Sequence, residues 1–170
     1  MTAKNIILVG FMGAGKSTVA VELVKCGSYR LLDLDAEIER RSGLSIKEIF
    51  RRQGESFFRD LETASLAELR FQSGLVVATG GGIVSRPENR ELLRSIGFVV
   101  YLRAAFPELQ KRLRSSTDRP LIKDDPDWHA LEALFQGRSL FYEMADFIVD
   151  TDNKSPKILA REILQRLEEP

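Results

Sequence analysis

The sequence predicts an α/β fold: a mainly parallel sheet of five strands with helices on both faces and right-handed crossovers. Three observations predict it. Short apolar runs at residues 5–9, 29–32, 75–78, 98–102 and 147–149 read as buried strands. Segments with helical spacing of apolar residues separate them. Gly10, Asp33 and Thr79 each follow directly after a run, and in such sheets ligands bind beyond the carboxyl ends of the strands.

A chain of 170 residues is long enough for one domain with a sizeable core and too short for two ordinary ones, so residues 1–170 are expected to form a single unit. Hydrophobic residues at 44% and charged residues at 29% argue against a disordered, collagen-like or membrane-embedded chain. With 25 basic and 25 acidic residues the formal charge is zero, which implies no general affinity for nucleic acid or anionic membrane. Any anion site must be local. The single cysteine, Cys26, cannot form an internal disulfide, and the N-terminus runs into a strand pattern rather than a signal peptide. Both fit a reducing cytoplasm. No apolar run reaches the roughly 18 residues of a membrane span.

Taken in order, the run at 5–9 ends at Gly10 and is followed by helical spacing over residues 16–26. After the second run, residues 35–72 lack a strand and carry helical patterns at 36–41, 46–53 and 57–71. Residues 115–127 are polar, contain Pro120 and Pro126, and read as a loop. Residues 158–167 form an amphipathic helix expected to pack on the domain. Cys26 reads as a small packed side chain. The lone histidine, His129, cannot build a multi-histidine metal site, and Arg40, Arg41, Arg51 and Arg52 read as solvated helix-face residues.

Between the first strand and first helix, Gly10-Phe11-Met12-Gly13-Ala14-Gly15-Lys16-Ser17, followed by Thr18, fits G-x-x-x-x-G-K-[ST]. Glycines let the backbone approach phosphate oxygens so that successive N–H groups surround the anion, and the helix start adds its positive dipole end. Lys16 would reach the β- and γ-phosphates of a nucleotide, and the Ser17 hydroxyl would ligate Mg²⁺. The motif predicts nucleotide binding and says little about what receives the phosphate.

Asp33-Leu34-Asp35 closes the second strand, and a two-residue period would point both carboxylates to one side. Phosphoryl transfer needs one carboxylate near Mg²⁺ and one near an acceptor hydroxyl. The residues leave a second reading open, in which Asp35 only caps a helix starting at Ala36.

Beyond the phosphate loop the chain carries Asp33-x-Asp35, Gly54-Glu55-x-x-Phe58-Arg59-x-x-Glu62, Thr79-Gly80-Gly81-Gly82, Arg119-Pro120-Leu121 and Arg138-x-x-x-Tyr142. In these motifs and in their order, from residue 10 to about residue 152, it resembles the shikimate kinases. The resemblance implies a three-layer P-loop domain with sheet order 2-3-1-4-5, a helical substrate-binding insertion over residues 34–62 and a lid over 113–127. It implies transfer of the ATP γ-phosphate to the 3-hydroxyl of shikimate by a cytoplasmic monomer that uses Mg²⁺.

Site roles follow from the same resemblance. Lys16, Asp35 and Arg119 are the implied catalytic residues, with Asp35 accepting from ring hydroxyls or serving as base and Arg119 closing over the phosphates. ATP is implied to contact Gly13, Ala14, Gly15, Lys16, Ser17, Thr18, Arg112, Arg119 and Asn153, with Arg112 stacking on adenine. Shikimate is implied to contact Asp35, Arg59, Gly80, Gly81, Gly82 and Arg138. The two arginines suit its carboxylate because planar guanidinium donors can pair with both oxygens. Mg²⁺ is implied at Ser17 and, through water, at Asp33. The chain departs from the family pattern after Arg138: Leu140 stands where proline is usual, and the spacing from Tyr142 to Ala145 is one residue shorter.

Two other functions fit part of the sequence. A kinase of the same fold could phosphorylate gluconate or a nucleoside monophosphate, although no base-reading pocket is identifiable and paired arginines suit a carboxylate. A non-catalytic nucleotide switch would keep the phosphate loop and dispense with the acidic pair and the lid arginine.

Overall fold

The computed structural model describes residues 4–115 and 127–169. Strands β1 (Asn5–Val9), β2 (Arg30–Asp33), β3 (Leu75–Ala78), β4 (Gly97–Arg103) and β5 (Phe147–Asp150) form one parallel sheet in the order β2-β3-β1-β4-β5. The helices are α1 (Lys16–Cys26), α2 (Leu34–Ser42), α3 (Ile46–Leu69), α4 (Pro87–Ile96), α5 (Phe106–Ser115), α6 (Trp128–Tyr142) and α7 (Pro156–Glu168), with a 3₁₀ turn at Ile83–Ser85. Helices flank the sheet: α1 packs on α7, and α3 packs on α4. None of the helices among the described residues is long and apolar enough to cross a membrane.

Every residue of β1 and β3 is buried, as expected of strands between two others with both faces covered. Their apolar side chains join Val19, Ala20 and Leu23 of α1 and Leu159, Ala160 and Ile163 of α7 in one core. Register brings the chemistry together. Leu8 is opposite Ala78 and Val100, and Ala78 is opposite Asp33, so Gly10, Asp33 and Thr79 emerge side by side at one sheet edge.

Local structure departs from the sequence expectation in five places. The second strand spans Arg30–Asp33 rather than 29–32, and β4 extends to both sides of 98–102. Asp33 does not continue a strand through Asp35: it is the N-cap of α2, accepting a hydrogen bond from the Ala36 N–H at 3.1 Å, and Asp35 lies in the first helical turn. The period-two argument for the acidic pair therefore fails, and the helix starts at Leu34, before residue 36. The helical patterns at 46–53 and 57–71 belong to one broken element, α3, interrupted at Gly54 (φ 84°, ψ 171°). Cys26 is exposed, not packed, because it falls at the solvent end of α1.

Candidate active site

Six residues of the phosphate loop separate β1 from α1, and the loop closes on its own lysine. The Lys16 ammonium donates to the carbonyls of Gly10 at 2.7 Å and Phe11 at 2.9 Å. Gly15 is the N-cap of α1 and has no side chain to satisfy the first N–H groups, which leaves the helix start to an anion. Ser17 and Thr18 are exposed there. The Ser17 hydroxyl donates to the second oxygen of Asp33 at 3.3 Å, so a hydroxyl and a carboxylate converge beside the loop.

Asp35 faces the same space from the first turn of α2. Its Oδ1 is buried and has no hydrogen-bond partner in the protein. Burial pushes its carboxyl above the ordinary range, and the nearby carboxylate of Asp33 pushes the same way, while Lys16 and Arg59 pull it down. A carboxylate held between the loop lysine and Arg59 can accept hydrogen bonds from an incoming hydroxyl.

Arg59 lies on α3 and is mostly buried. It donates to Glu62 at 2.6 Å and to Glu55 at 2.8 Å, each one helical turn away. Burial works against its charge, but these carboxylates outweigh that, and the net shift is upward. The guanidinium occupies the place where a Cβ on Gly82 would go, so any larger residue there would have to displace Arg59. Glu62 is fully buried. Its Oε1 has no partner, and it and Asp35 Oδ1 each lie 3.0 Å from the position a Gly80 Cβ would take. Burial pushes the Glu62 carboxyl up against the opposing pull of Arg59.

The glycine turn between them is braced from both sides. Thr79 donates through its hydroxyl to the Leu8 carbonyl at 2.8 Å, tying the turn to β1. Buried Asn89 of α4 donates to the Ile83 carbonyl at 3.0 Å and accepts from Thr63 of α3 at 2.7 Å. Arg138, on α6, acts electrostatically on Glu62 and lies beside the Tyr142 hydroxyl, so it faces this turn. Leu140, the departure from the family pattern, is exposed.

On the nucleotide side, Arg112 of α5 donates to Glu108 at 3.0 Å and to the Thr151 hydroxyl at 3.1 Å, and lies 3.8 Å from Asp152. Asn153 adopts φ 60° in the same loop. These contacts hold Arg112 against residues 151–153. Arg119 and residues 116–126 of the expected lid lie outside the described residues.

The structure thus brings Lys16, Ser17, Asp33, Asp35, Arg59, Gly80, Gly81, Gly82 and Arg138 to one sheet edge, with Arg112 and Asn153 in a separate cluster beside it. Sequence reasoning did not single out Glu62 as a site residue. A signal was available: Glu62 falls within the buried stripe Phe58, Glu62, Ser65, Leu66 and Leu69, where a carboxylate must have a reason.

A phosphate loop at the centre of a 2-3-1-4-5 parallel sheet, facing buried acids and arginines, makes this an ATP-dependent phosphotransferase of the P-loop class. The family described as "SKI: Shikimate kinase" matches residues 12–168. The chain belongs to the shikimate kinase family, and its activity is that of a shikimate kinase. It is 47% identical to the shikimate kinase of Cupriavidus pinatubonensis over 165 residues, covering 96% of this chain and 86% of that one. It is 48% identical to that of Geobacter sulfurreducens over 160 residues, covering 94% and 88%. Among solved structures it is similar to a shikimate kinase from Acinetobacter baumannii in complex with shikimate, at TM-score 0.89 and 40% identity, covering 98% of this chain and 93% of that chain.

Proposed function

We propose that the enzyme transfers the γ-phosphoryl group of ATP to the 3-hydroxyl of shikimate, with Asp35 as the group that orients and deprotonates that hydroxyl. One observation carries this reading: a buried carboxylate oxygen without a partner stands between the loop lysine and a buried arginine. The hydroxyl oxygen attacks the γ-phosphorus, the bond from that phosphorus to the β,γ-bridging oxygen breaks, and the proton passes to Asp35. ADP and shikimate 3-phosphate leave.

The loop residues Gly13, Ala14, Gly15, Lys16, Ser17 and Thr18 hold the ATP phosphates, Lys16 neutralises charge on the β- and γ-groups, and Arg112 and Asn153 flank the base. Arg59 and Arg138 bind the shikimate carboxylate, and Gly80, Gly81 and Gly82 leave room for the ring. The hard oxygens of Ser17 and Asp33 suit Mg²⁺, with Asp33 acting through water. No group of three or more acidic, histidine or cysteine side chains that could hold a metal occurs among the described residues, which fits an ion carried largely by water and phosphate. When bound, Mg²⁺ supplies charge neutralisation on the phosphates. Residues 1–170 act as one cytoplasmic, monomeric domain in which residues 34–62 receive the acceptor and 113–127, with Arg119, close over the phosphates. An arginine so placed raises phosphoryl transfer by roughly 10³ to 10⁵.

An ADP-release assay with shikimate, gluconate and a nucleoside monophosphate as acceptors tests the reading. Turnover should depend on shikimate, disappear on chelation of divalent metal, and require Arg59. Arg59→Ala should raise the shikimate KM by about 10²-fold, as loss of a charge-assisted pair implies. No stimulation by shikimate over ATP alone would sink the assignment.

A further inference from the structure

We propose that Tyr142 is a positioning residue for the acceptor, its hydroxyl holding the Gly81–Gly82 peptide and the Arg138 guanidinium in one frame. The proposal rests on the reading of Arg138 and the glycine turn as acceptor contacts. Tyr142 is the last residue of α6, is fully buried, and stacks on Tyr101 of β4 with ring centroids 5.1 Å apart and planes 22° apart. Its hydroxyl donates to the Gly81 carbonyl.

That bond completes the turn. The carbonyls of Gly80 and Gly82 already accept from the N–H groups of Ile83 at 3.2 Å and Ser85 at 3.0 Å. With Gly81 held as well, all three glycine carbonyls are committed. A trans peptide points its C=O and N–H in opposite directions, so fixing the Gly81 carbonyl on α6 turns the Gly82 N–H away from α6. Gly81 also leans on the phosphate loop, where a Cβ would sit 3.3 Å from the Met12 nitrogen. The peptide that Tyr142 holds is therefore the joint between the phosphate side and the acceptor side.

Arg138 precedes Tyr142 by one helical turn on the same face of α6. The phenol has one proton to give and lone pairs to receive, so the hydroxyl that donates to Gly81 can accept from the arginine. Burial pushes the phenol pKa up, with Arg138 opposing, and the hydroxyl stays protonated and able to donate across the neutral range. A buried bond of this kind has no water to replace it when removed.

Tyr142→Phe keeps the ring and its stacking and removes both contacts of the hydroxyl. Steady-state kinetics on the full chain, with each substrate varied, should show the shikimate KM raised about tenfold, while the ATP KM stays within about twofold. In an Arg138→Ala background the same substitution should have a smaller effect, because only the Gly81 contact is left for it to remove. An unchanged shikimate KM in Tyr142→Phe, alongside a clear defect in Arg138→Ala, overturns the proposal alone. So does a parallel rise in both KM values with a collapse in Tm, which marks a purely structural tyrosine. A normal shikimate KM in Arg138→Ala is the distinct failure of the Arg138 assignment, and the proposal falls with it.

Discussion

Asp35 is stable in neither surroundings nor charge, and that conflict is measurable. Burial and the carboxylate of Asp33 raise its pKa in the folded enzyme, with Lys16 and Arg59 opposing and Glu39 adding a smaller push upward. A folded-state pKa above the unfolded value means that the folded protein favours the protonated form. The resulting contribution to stability is fully present below the unfolded pKa and is lost as pH rises through the folded one. At neutral pH the ionised Asp35 is thus a cost to the fold that serves the reaction. Asp35→Asn should raise Tm by about 2–4 °C at pH 7, and the gain should vanish as the pH is lowered through the carboxylate range. The same variant should lose about 10² to 10⁴ in kcat. A Tm at pH 7 equal to or below that of the parent would show that Asp35 is not strained. In the parent enzyme the acid limb of kcat/KM for shikimate, which reports the free enzyme, should lie above the range of an ordinary aspartate.

The elements that bear these residues were legible to different degrees. The central strands stood out because β1 and β3 are short apolar runs covered on both faces, and the phosphate loop because its spacing is a local property of consecutive residues. The acidic pair was misread because three residues of alternation do not separate a strand end from an N-cap. The Asp33 bond to the Ala36 N–H decides that, and it exists only once the helix does. Glu62 was passed over because its burial comes from Gly80, distant in sequence, and from Arg59 turning inward. The length of α3 was misjudged because Ser45 and Glu48 form a complete capping box that starts it, whereas Gly54 interrupts it without ending it. At φ 84° and ψ 171° Gly54 holds a conformation open essentially to glycine, with no neighbour near a Cβ. Gly54→Ala therefore acts through the backbone alone, at a cost of about 1–3 kcal/mol. Because Glu55, Arg59 and Glu62 follow the break on the same helix, the shikimate KM should rise several-fold with the ATP KM unchanged. A variant with reduced Tm and a normal shikimate KM would mean that the break serves only stability.

Across the whole molecule the sheet separates chemistry from anchorage. Its carboxyl edge carries the phosphate loop, the acidic pair and the glycine turn of the proposed mechanism, and at its opposite edge one buried side chain ties three strand entries together. Asn5, at the start of the central strand, donates to the Gln72 carbonyl at 2.8 Å and the Ile96 carbonyl at 3.1 Å. It accepts from the Leu75 N–H at 2.9 Å. It thereby joins the entries of β1, β3 and β4, and a Cβ at Gly97 would collide with its backbone. Asn5→Ala removes the partner of three backbone groups in a place where water has little access, and the expected loss is about 2–4 kcal/mol. For a domain of this size that corresponds to a fall in Tm of about 4–15 °C. Both KM values should stay within about twofold of the parent at a temperature where the variant is folded, since additivity holds for sites without shared partners. Thermal unfolding and kinetics on the same preparation decide the matter: a shifted KM with an unmoved Tm would show that the two edges of the sheet are coupled rather than independent.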